Sequence, residues 1–341
     1  MTRVGAVDCG TNSIRLLVAD VDPRTGALTD VLRRMEVVRL GLGVDRTGRI
    51  DPEAMRRTLA MAAEYAAQCR ELGATAVRFV ATSASRDADN ADEFVAGVRE
   101  AFAHYGTAPE VVSGDGEATL SFRGATGDLR AAGIPGPYLV VDLGGGSTEL
   151  VRGESTVEAA RSVDIGCVRM TERHLHSDPP SETELAAATR DVDAALDLAA
   201  ERVHLDGVAT LVGLAGSVTT VTAHALGLQA YEPDRIHLAE LAPDQVVAAC
   251  DSLIHLPRAE RAGLGFMHPG RVDVIGAGAL VWREVVRRLA DEGVRRVVTS
   301  EHDILDGIAL SVADAEQDAD REARPDTGRD ADQGAGGGPA A

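Results

Sequence analysis

The sequence predicts an α/β protein made of two similar domains, and three observations support this prediction. First, residues 8–13 (DCGTNS) and 142–147 (DLGGGS) are Gly-rich turns, each following an apolar run that ends in aspartate. Second, another apolar run follows each turn, so a strand, a tight turn and a returning strand fit both copies. Third, a chain of 341 residues exceeds the size at which a single hydrophobic core keeps growing.

The first half alternates apolar runs with amphipathic segments, as expected of a mixed sheet flanked by helices. The helix over 52–72 has the clearest limits, because Asp51-Pro52 opens it and Gly73 ends it. Short connections between the first three strands favour antiparallel pairing. Predicted strands lie at 4–7, 15–21, 37–42, 77–81 and 110–112, and predicted helices at 52–72 and 91–105.

The second half repeats this pattern after a linker at 133–137 (GIPGP). A third Gly-rich turn, residues 213–220 (GLAGSVTT), opens a helix that runs through Leu226. Predicted strands lie at 138–142, 148–152, 158–163, 210–214 and 297–299, and further predicted helices at 182–203, 245–256, 277–292 and 303–312.

The composition restricts the location and the partners of the protein. A formal net charge of −20 disfavours contact with nucleic acid, so an anionic substrate must be bound locally. No apolar run is long enough to cross a bilayer, and Asp8 precedes any signal-peptide core, which predicts a cytoplasmic protein without membrane contact. The four scattered cysteines are expected to be buried thiols. Residues 313–341 are expected to be a disordered acidic tail.

Each of the first two Gly-rich turns has the chemistry of a phosphate site. Glycine lets the backbone approach an anion closely, and successive amides and hydroxyls donate hydrogen bonds. The aspartate at the strand end can hold a hydrated magnesium ion. Ordinary turn geometry would explain a single copy, but folding does not require two distant turns to be alike. The repeat therefore indicates a two-sided phosphate clamp.

Residues 8–17 (DCGTNSIRLL) and 140–150 (VVDLGGGSTEL) resemble the exopolyphosphatase and guanosine pentaphosphate phosphohydrolase family, a branch of the actin, hexokinase and Hsp70 superfamily. The resemblance runs from about Arg3 to Val312. It implies two actin-like (ribonuclease H-like) βββαβα domains with an interdomain cleft. Further matching segments are 81–87 (ATSASRD), 113–118 (SGDGEA), 213–220 and 270–275 (GRVDVI). The implied divisions are domain I at 1–130, domain II at 131–302, a helix at 303–312 returning to domain I, and the tail at 313–341.

The resemblance also implies roles for individual residues. Glu117 would be the base that orients the attacking water, although without the resemblance it would equally fit an acid favoured by the helix dipole. Asp142 and Glu149 would hold magnesium, with Asp8 facing them, and strand alternation places Glu149 on the same face as Ser147. The expected phosphate-binding residues are Thr11, Asn12, Ser13, Arg15, Arg86, Gly144, Gly145, Gly146, Ser147, Thr148, Ser217 and Arg271.

The three arginines among these residues are candidates for phosphate binding for different reasons. Arg86 and Arg271 are candidates because guanidinium groups match phosphate in shape and charge. Arg15 occupies the repeat position equivalent to Glu149, where phosphate contact and structural pairing are both open. Ser217 would bind further phosphate or a guanosine ligand.

The chain departs from the family pattern in two ways. Gly116 stands where family members commonly carry a second acid before the catalytic glutamate. Without that acid, the nearby negative charge that would raise the pKa of Glu117 is expected to be weaker. The chain is also too short to contain the HD-type module of the long forms. His302-Asp303 is a pair without further ligands in the sequence, and we interpret it as a structural hydrogen bond.

The favoured function is Mg²⁺-dependent removal of terminal orthophosphate from inorganic polyphosphate. One alternative is hydrolysis of guanosine pentaphosphate, a nucleotide of the stringent response. Another is a catalytically weak sensor that binds guanosine tetra- and pentaphosphate. An ATP-dependent sugar or acyl kinase on the same scaffold is a further hypothesis, which would need an acceptor hydroxyl. The resemblance also implies a homodimer.

Overall fold

Two mixed sheets carry the fold in a computed structural model that describes residues 1–22 and 24–322. The strands are β1 (Thr2–Cys9), β2 (Ser13–Val21), β3 (Leu28–Val37), β4 (Ala76–Ala81), β5 (Glu110–Val111), β6 (Tyr138–Leu143), β7 (Thr148–Gly153), β8 (Val157–Val163), β9 (Thr210–Leu214), β10 (Glu240–Leu241) and β11 (Val297–Thr299). The helices are α1 (Val44–Thr47), α2 (Pro52–Glu71), α3 (Ser83–Arg86), α4 (Ala91–Ala101), α5 (Gly114–Ala131), α6 (Cys167–His174), α7 (Glu182–Ala200), α8 (Ala215–Ala225), α9 (Pro233–Ile236), α10 (Pro243–His255), α11 (Arg258–Ala262), α12 (Ile275–Asp291) and α13 (Ile304–Glu322).

The two sheets repeat one topology. The first has the order β3-β2-β1-β4-β5 and the second the order β10-β11-β9-β6-β7-β8. In the first, β1 pairs antiparallel with β2 and parallel with β4. In the second, β6 pairs in the same way with β7 and β9. The predicted fold class, two α/β halves of duplicated topology, is confirmed.

Helices α5 and α13 cross between the two halves. Helix α5 follows β5 of the first sheet, but its buried residues Phe122 and Leu129 pack into the core of the second sheet. Helix α13 follows the second sheet and packs on the first through residues such as Ile308. The helices meet closely, because a Cβ on Gly124 would lie 1.8 Å from the Asp303 carbonyl oxygen. The predicted boundary at residue 130 therefore assigns α5 to domain I, although this helix packs on the sheet of domain II.

The third strand lies elsewhere than predicted. It spans Leu28–Val37, whereas residues 38–42 form an irregular segment. This edge strand pairs with β2 alone and contains the charged residues Asp30, Arg33, Arg34 and Glu36, so its apolar periodicity is weak. Residues 38–41 instead support the first Gly-rich turn, since the Arg39 amide donates to the Asn12 carbonyl (2.8 Å) and the Gly41 amide to that of Thr11 (2.8 Å).

Three further features bear on the sequence predictions. Helix α13 continues to Glu322, ten residues beyond the predicted end at 312, and an ion pair between Arg123 and Asp314 (2.6 Å) ties its continuation to α5. Residues 323–341 of the predicted tail lie outside the described residues. The four cysteines are buried and unpaired, as predicted. Within 1–22 and 24–322, no helix has the length and apolar character needed to cross a membrane.

Candidate active site

The two Gly-rich turns have the same local geometry. The Gly10 amide donates to the Ser13 carbonyl (2.9 Å), and the Gly144 amide donates to the Ser147 carbonyl (3.0 Å). The strand registers also match, because Asp8 faces Arg15 across β1 and β2 as Asp142 faces Glu149 across β6 and β7. The repeat read from the sequence is therefore a repeat in space, and Arg15 occupies the position of Glu149.

The turns touch at the boundary between the halves. A Cβ on Gly145 would lie 2.9 Å from the Thr11 Cβ, and the Thr11 hydroxyl lies 2.9 Å from that of Ser83. Gly166 supports the second turn from behind, where a Cβ would lie only 2.3 Å from the Gly145 carbonyl carbon and oxygen. Both contacts involve backbone or short side chains, so glycine is required for this close approach.

A cleft of about 100 Å³ opens between the turns and brings most of the predicted residues together. Both Asp8 and Asp142 line it, so the two turns face one shared space. The other predicted residues along its wall are Thr11, Asn12, Ser13, Arg15, Glu117, Gly144, Gly145, Ser147, Ser217 and Arg271. Four predicted residues do not line it, namely Arg86, Gly146, Thr148 and Glu149.

Two of these four contact protein instead of the cleft. The Thr148 side chain is fully buried, and its hydroxyl donates to the Ile165 carbonyl (2.8 Å). A Cβ on Gly146 would lie 2.6 Å from the Ser83 hydroxyl, so this residue packs against the other half. Both residues shape the second turn, and neither offers a side chain to phosphate.

Arg86 lies behind Glu117 rather than in the cleft. One of its Nη atoms donates to the Val112 carbonyl (3.0 Å) and lies 3.6 Å from a Glu117 carboxylate oxygen. This position differs from the predicted phosphate contact. The reason is that α3, which ends at Arg86, points its last residue toward the first turn of α5.

Arg15 lines the cleft but is committed to carboxylates. Its Nε and one Nη donate to Asp8 Oδ2 (2.9 and 2.7 Å), and its other Nη pairs with Asp303. All three guanidinium nitrogens thus have protein partners. Of the two interpretations left open by the sequence, the geometry favours structural pairing, in which Arg15 holds Asp8.

Three carboxylates line the cleft, those of Asp8, Glu117 and Asp142, and the carboxylate of Glu149 lies near enough to act on Glu117. Asp142 Oδ2 accepts from the Ser121 hydroxyl (2.5 Å), and Glu149 Oε1 accepts from the Ser162 hydroxyl (2.6 Å). Three buried oxygens of these carboxylates make no hydrogen bond, namely Asp8 Oδ1, Glu117 Oε2 and Glu149 Oε2, and of these Glu117 Oε2 lies 3.6 Å from an Arg86 Nη. Unsatisfied buried carboxylate oxygens are costly, and a cation offers the partner that they lack.

Crowding of these acids changes their pKa values. Burial and the nearby Asp303 raise the pKa of Asp142 to about 6, and burial and Asp142 raise the pKa of Glu149 to about 7. Burial, with smaller contributions from Glu149, Asp142 and Asp8, holds the pKa of Glu117 well above its ordinary value. The acid missing at Gly116 is therefore not needed to raise the pKa of this glutamate.

The donor set fits a hard divalent cation that keeps part of its water. The unpartnered oxygens belong to carboxylates, which Mg²⁺ prefers. Among the described residues, Asp8, Asp142 and Glu149 do not form a group with donor atoms all within 4.8 Å. A cation here would accordingly be held by one or two carboxylates, with water and substrate oxygens completing its shell.

The turn between β9 and α8 adds residues that the sequence analysis did not select. Ala215 has a left-handed backbone (φ +67°) and, with Gly216, lines the cleft. A Cβ on Gly216 would lie 2.0 Å from the Arg271 guanidinium, so the missing side chain lets Arg271 lie over the start of α8. Backbone amides and a guanidinium together favour an anion at this point. The GLAGS string was the available signal.

A second cavity of about 450 Å³ adjoins the cleft. The two share Arg15, Ala215, Gly216 and Arg271. Its wall is more apolar than that of the cleft, and it includes Met35, Tyr231, Phe266, Met267 and Leu305.

Comparisons with known proteins agree with this geometry. The Ppx/GppA phosphatase family profile matches residues 17–314. Exopolyphosphatase 2 of Mycobacterium tuberculosis is 51% identical over 318 residues, which cover 92% of this chain and 99% of that protein. A crystal structure of an Aquifex aeolicus member of the Ppx/GppA family is 29% identical, with a TM-score of 0.76 and coverage of 92% of this chain and 98% of that chain.

Guanosine-5'-triphosphate,3'-diphosphate pyrophosphatase of Aeromonas salmonicida is 35% identical over 214 residues, or 62% of this chain and 42% of that protein. The region matched by the family profile includes the whole of the second sheet and strands β3, β4 and β5 of the first. On this extent of similarity, the chain belongs to the Ppx/GppA phosphatase family.

Proposed function

We propose that this protein is a Mg²⁺-dependent exopolyphosphatase, which hydrolyses the terminal phosphoanhydride bond of inorganic polyphosphate and releases orthophosphate. One observation carries the proposal: two equivalent Gly-rich turns, each with its aspartate, face one cleft that Glu117 also lines. The similarity to an exopolyphosphatase over nearly the full length of both proteins supports the same activity.

Each requirement of phosphoanhydride hydrolysis has a candidate in the cleft. Glu117 lines the cleft, and its carboxylate can accept a hydrogen bond from the attacking water. The amides of the two turns, the start of α8 and Arg271 would bind the phosphate oxygens. One or two of the carboxylates of Asp8, Asp142 and Glu149 would hold Mg²⁺, which neutralises charge on the transferring phosphoryl group when bound.

Arg86 is proposed to act on the base rather than on phosphate, and Arg86→Gln tests this. We expect kcat to fall by about tenfold while KM for polyphosphate changes little, because Arg86 lies 3.6 Å from Glu117 and outside the cleft wall. The acid limb of the pH profile should move to higher pH, since Arg86 lowers the pKa of Glu117. Arg271→Gln is the comparison variant and should raise KM. A rise in KM with unchanged kcat for Arg86→Gln would indicate instead that Arg86 binds phosphate.

The raised pKa values predict how pH and metal act on stability. Without metal, Asp142 and Glu149 stabilise the fold below their unfolded pKa values near 4, and this stabilisation is lost as pH rises through about 6 and 7. The melting temperature of the metal-free protein should therefore fall between pH 5 and 8, and fall less in the Asp142→Asn/Glu149→Gln variant. Mg²⁺ should raise the melting temperature of the parent protein, and this rise should become larger from pH 5 to pH 8. In the double variant the rise should not depend on pH. Equal Mg²⁺ effects at pH 5 and 8 would contradict this assignment.

Guanosine pentaphosphate hydrolysis is the second candidate, and the 450 Å³ cavity favours it. The cavity joins the phosphate cleft at Arg15 and Arg271 and offers Phe266 and Tyr231 as an apolar wall, which suits a nucleoside beside a phosphate chain. A phosphate-release assay with short polyphosphate, long polyphosphate and guanosine pentaphosphate distinguishes the candidates. Release from polyphosphate without an acceptor would exclude a kinase, and nucleotide binding without any release would indicate a sensor.

Two remaining expectations stay predictions. The homodimer implied by the family resemblance is tested by sedimentation of the full chain. The cytoplasmic location is tested by fractionation of cells that produce the protein.

A further inference from the structure

Three side chains of the types that bind metals in proteins meet outside the cleft. Asp128 lies near the end of α5, His237 follows α9, and His302 follows β11. Asp128 Oδ2 lies 2.5 Å from His302 Nδ1 and 3.5 Å from His237 Nε2, and the imidazole centroids are 4.7 Å apart. Across 1–22 and 24–322, this is the one group of three His, Cys, Asp or Glu residues whose donor atoms all lie within 4.8 Å. His302 thus has partners that its neighbours in sequence do not reveal.

The backbone fixes the positions of both imidazoles. The Leu238 amide donates to the Thr299 carbonyl (2.8 Å), and the Thr299 amide donates to the Ala239 carbonyl (3.1 Å), which pins the segment after His237 to the end of β11. The Ser300 hydroxyl donates to the His302 carbonyl (2.8 Å) and accepts from the His302 amide (3.0 Å). Leu238 has a left-handed backbone (φ +58°), which is unfavourable for a non-glycine residue.

The group is open to solvent and chemically suited to a metal. The exposed side-chain fractions are 43% for Asp128, 23% for His237 and 36% for His302. Two imidazoles and one carboxylate suit zinc and related transition metals, whereas Mg²⁺ prefers oxygen ligands alone.

We propose that Asp128, His237 and His302 form a binding site for a transition-metal dication of the zinc class, separate from the cation site of the cleft. One carboxylate oxygen and one nitrogen of each imidazole would bind the ion, with water in the remaining position. Binding would displace the hydrogen bond between Asp128 and His302, and a bond through His237 Nε2 would place the proton of that imidazole on Nδ1, so that the 3.3 Å hydrogen bond from the Glu301 amide is lost.

The site would connect three segments that meet near the crossing helices. Asp128 belongs to α5, and His302 directly precedes Asp303, which pairs with Arg15 in the cleft. An ion bound to the folded protein alone would stabilise this junction by mass action. The effect on melting temperature is thus a readout that does not depend on catalysis.

The test is a titration of the full-length protein with Co²⁺ and with Zn²⁺, at saturating Mg²⁺ so that the cleft carboxylates are occupied. We expect one equivalent of Co²⁺ to give the visible absorption of low-symmetry nitrogen and oxygen coordination, and one equivalent of Zn²⁺ to displace it and raise the melting temperature. His302→Ala and Asp128→Asn should each weaken Zn²⁺ binding at least tenfold in calorimetry. His104→Ala, which removes an exposed histidine outside the group, should bind as the parent does.

Two results would overturn the proposal. One is the absence of stoichiometric Co²⁺ or Zn²⁺ binding by the parent protein in the presence of Mg²⁺. The other is binding of unchanged affinity by Asp128→Asn, which keeps the shape of the side chain and decides the matter if a histidine variant fails to fold. Neither result depends on phosphatase activity, so failure here is distinct from failure of the proposed function.

Discussion

Replacing Glu117 with glutamine is expected to lower kcat for polyphosphate by about 100- to 10,000-fold, the range of a lost general base. Glutamine keeps the shape of the side chain but cannot take a proton from water. Glu117 is buried beside three other acids, so removal of its charge relieves repulsion, and the melting temperature should stay level or rise. Phosphate-release kinetics measure the loss, and equilibrium binding of polyphosphate should remain largely intact.

Asp115→Asn is the matched control for this variant. Asp115 lies in the same first turn of α5, but its carboxylate points outward and pairs with Arg202 (3.1 Å). An exposed pair of this kind contributes little, so activity should be close to that of the parent. Turnover by Glu117→Gln at the parental rate would remove Glu117 from the mechanism.

Substituting Gly166 with alanine is expected to lower kcat/KM by about 100-fold or more. The added Cβ would lie 2.3 to 2.4 Å from backbone atoms of Gly145 and Gly146, which have no flexible side chain to yield. The second turn must therefore move, and a displacement of about 1 Å in a site that positions reacting groups has costs of this order. Steady-state kinetics with polyphosphate provide the measurement, and circular dichroism shows whether the fold is kept.

Gly127→Ala provides the control for the added methyl group. Gly127 lies on α5, and a Cβ there would meet no neighbouring atom within 4 Å, so alanine should stabilise the helix by about 0.5–1 kcal/mol and leave activity unchanged. Parental kinetics in Gly166→Ala would show that the second turn tolerates displacement, and would weaken its assignment as a phosphate site.

The repeated turns could be predicted from the sequence because their chemistry is local. The glycines, the preceding aspartates and the returning strands lie within about ten residues, and their spacing fixed the register that pairs Asp8 with Arg15 and Asp142 with Glu149. The shared cleft followed from the duplication. The family resemblance added Glu117, which the structure places on the cleft wall.

The remaining features depend on contacts between distant segments. Thr148 lies within the turn motif, yet its hydroxyl is used by the Ile165 carbonyl, a partner that the motif does not specify. Arg86 reaches Glu117 only because α3 and α5 converge. Strand β3 was misplaced because an edge strand pairs on one side and contains charged residues, so its apolar periodicity is weak. The group of Asp128, His237 and His302 could not be predicted either, because its members are far apart in the chain and meet only in the fold.

The crossing of α5 and α13 determines which side chains would move together if the two halves rotated relative to each other. Glu117 is carried by a helix that is buried against the sheet of Asp142 and Glu149, whereas Asp303 begins a helix buried against the sheet of Asp8. A rotation between the two halves would therefore move Glu117 together with the second Gly-rich turn and change its distance to the first.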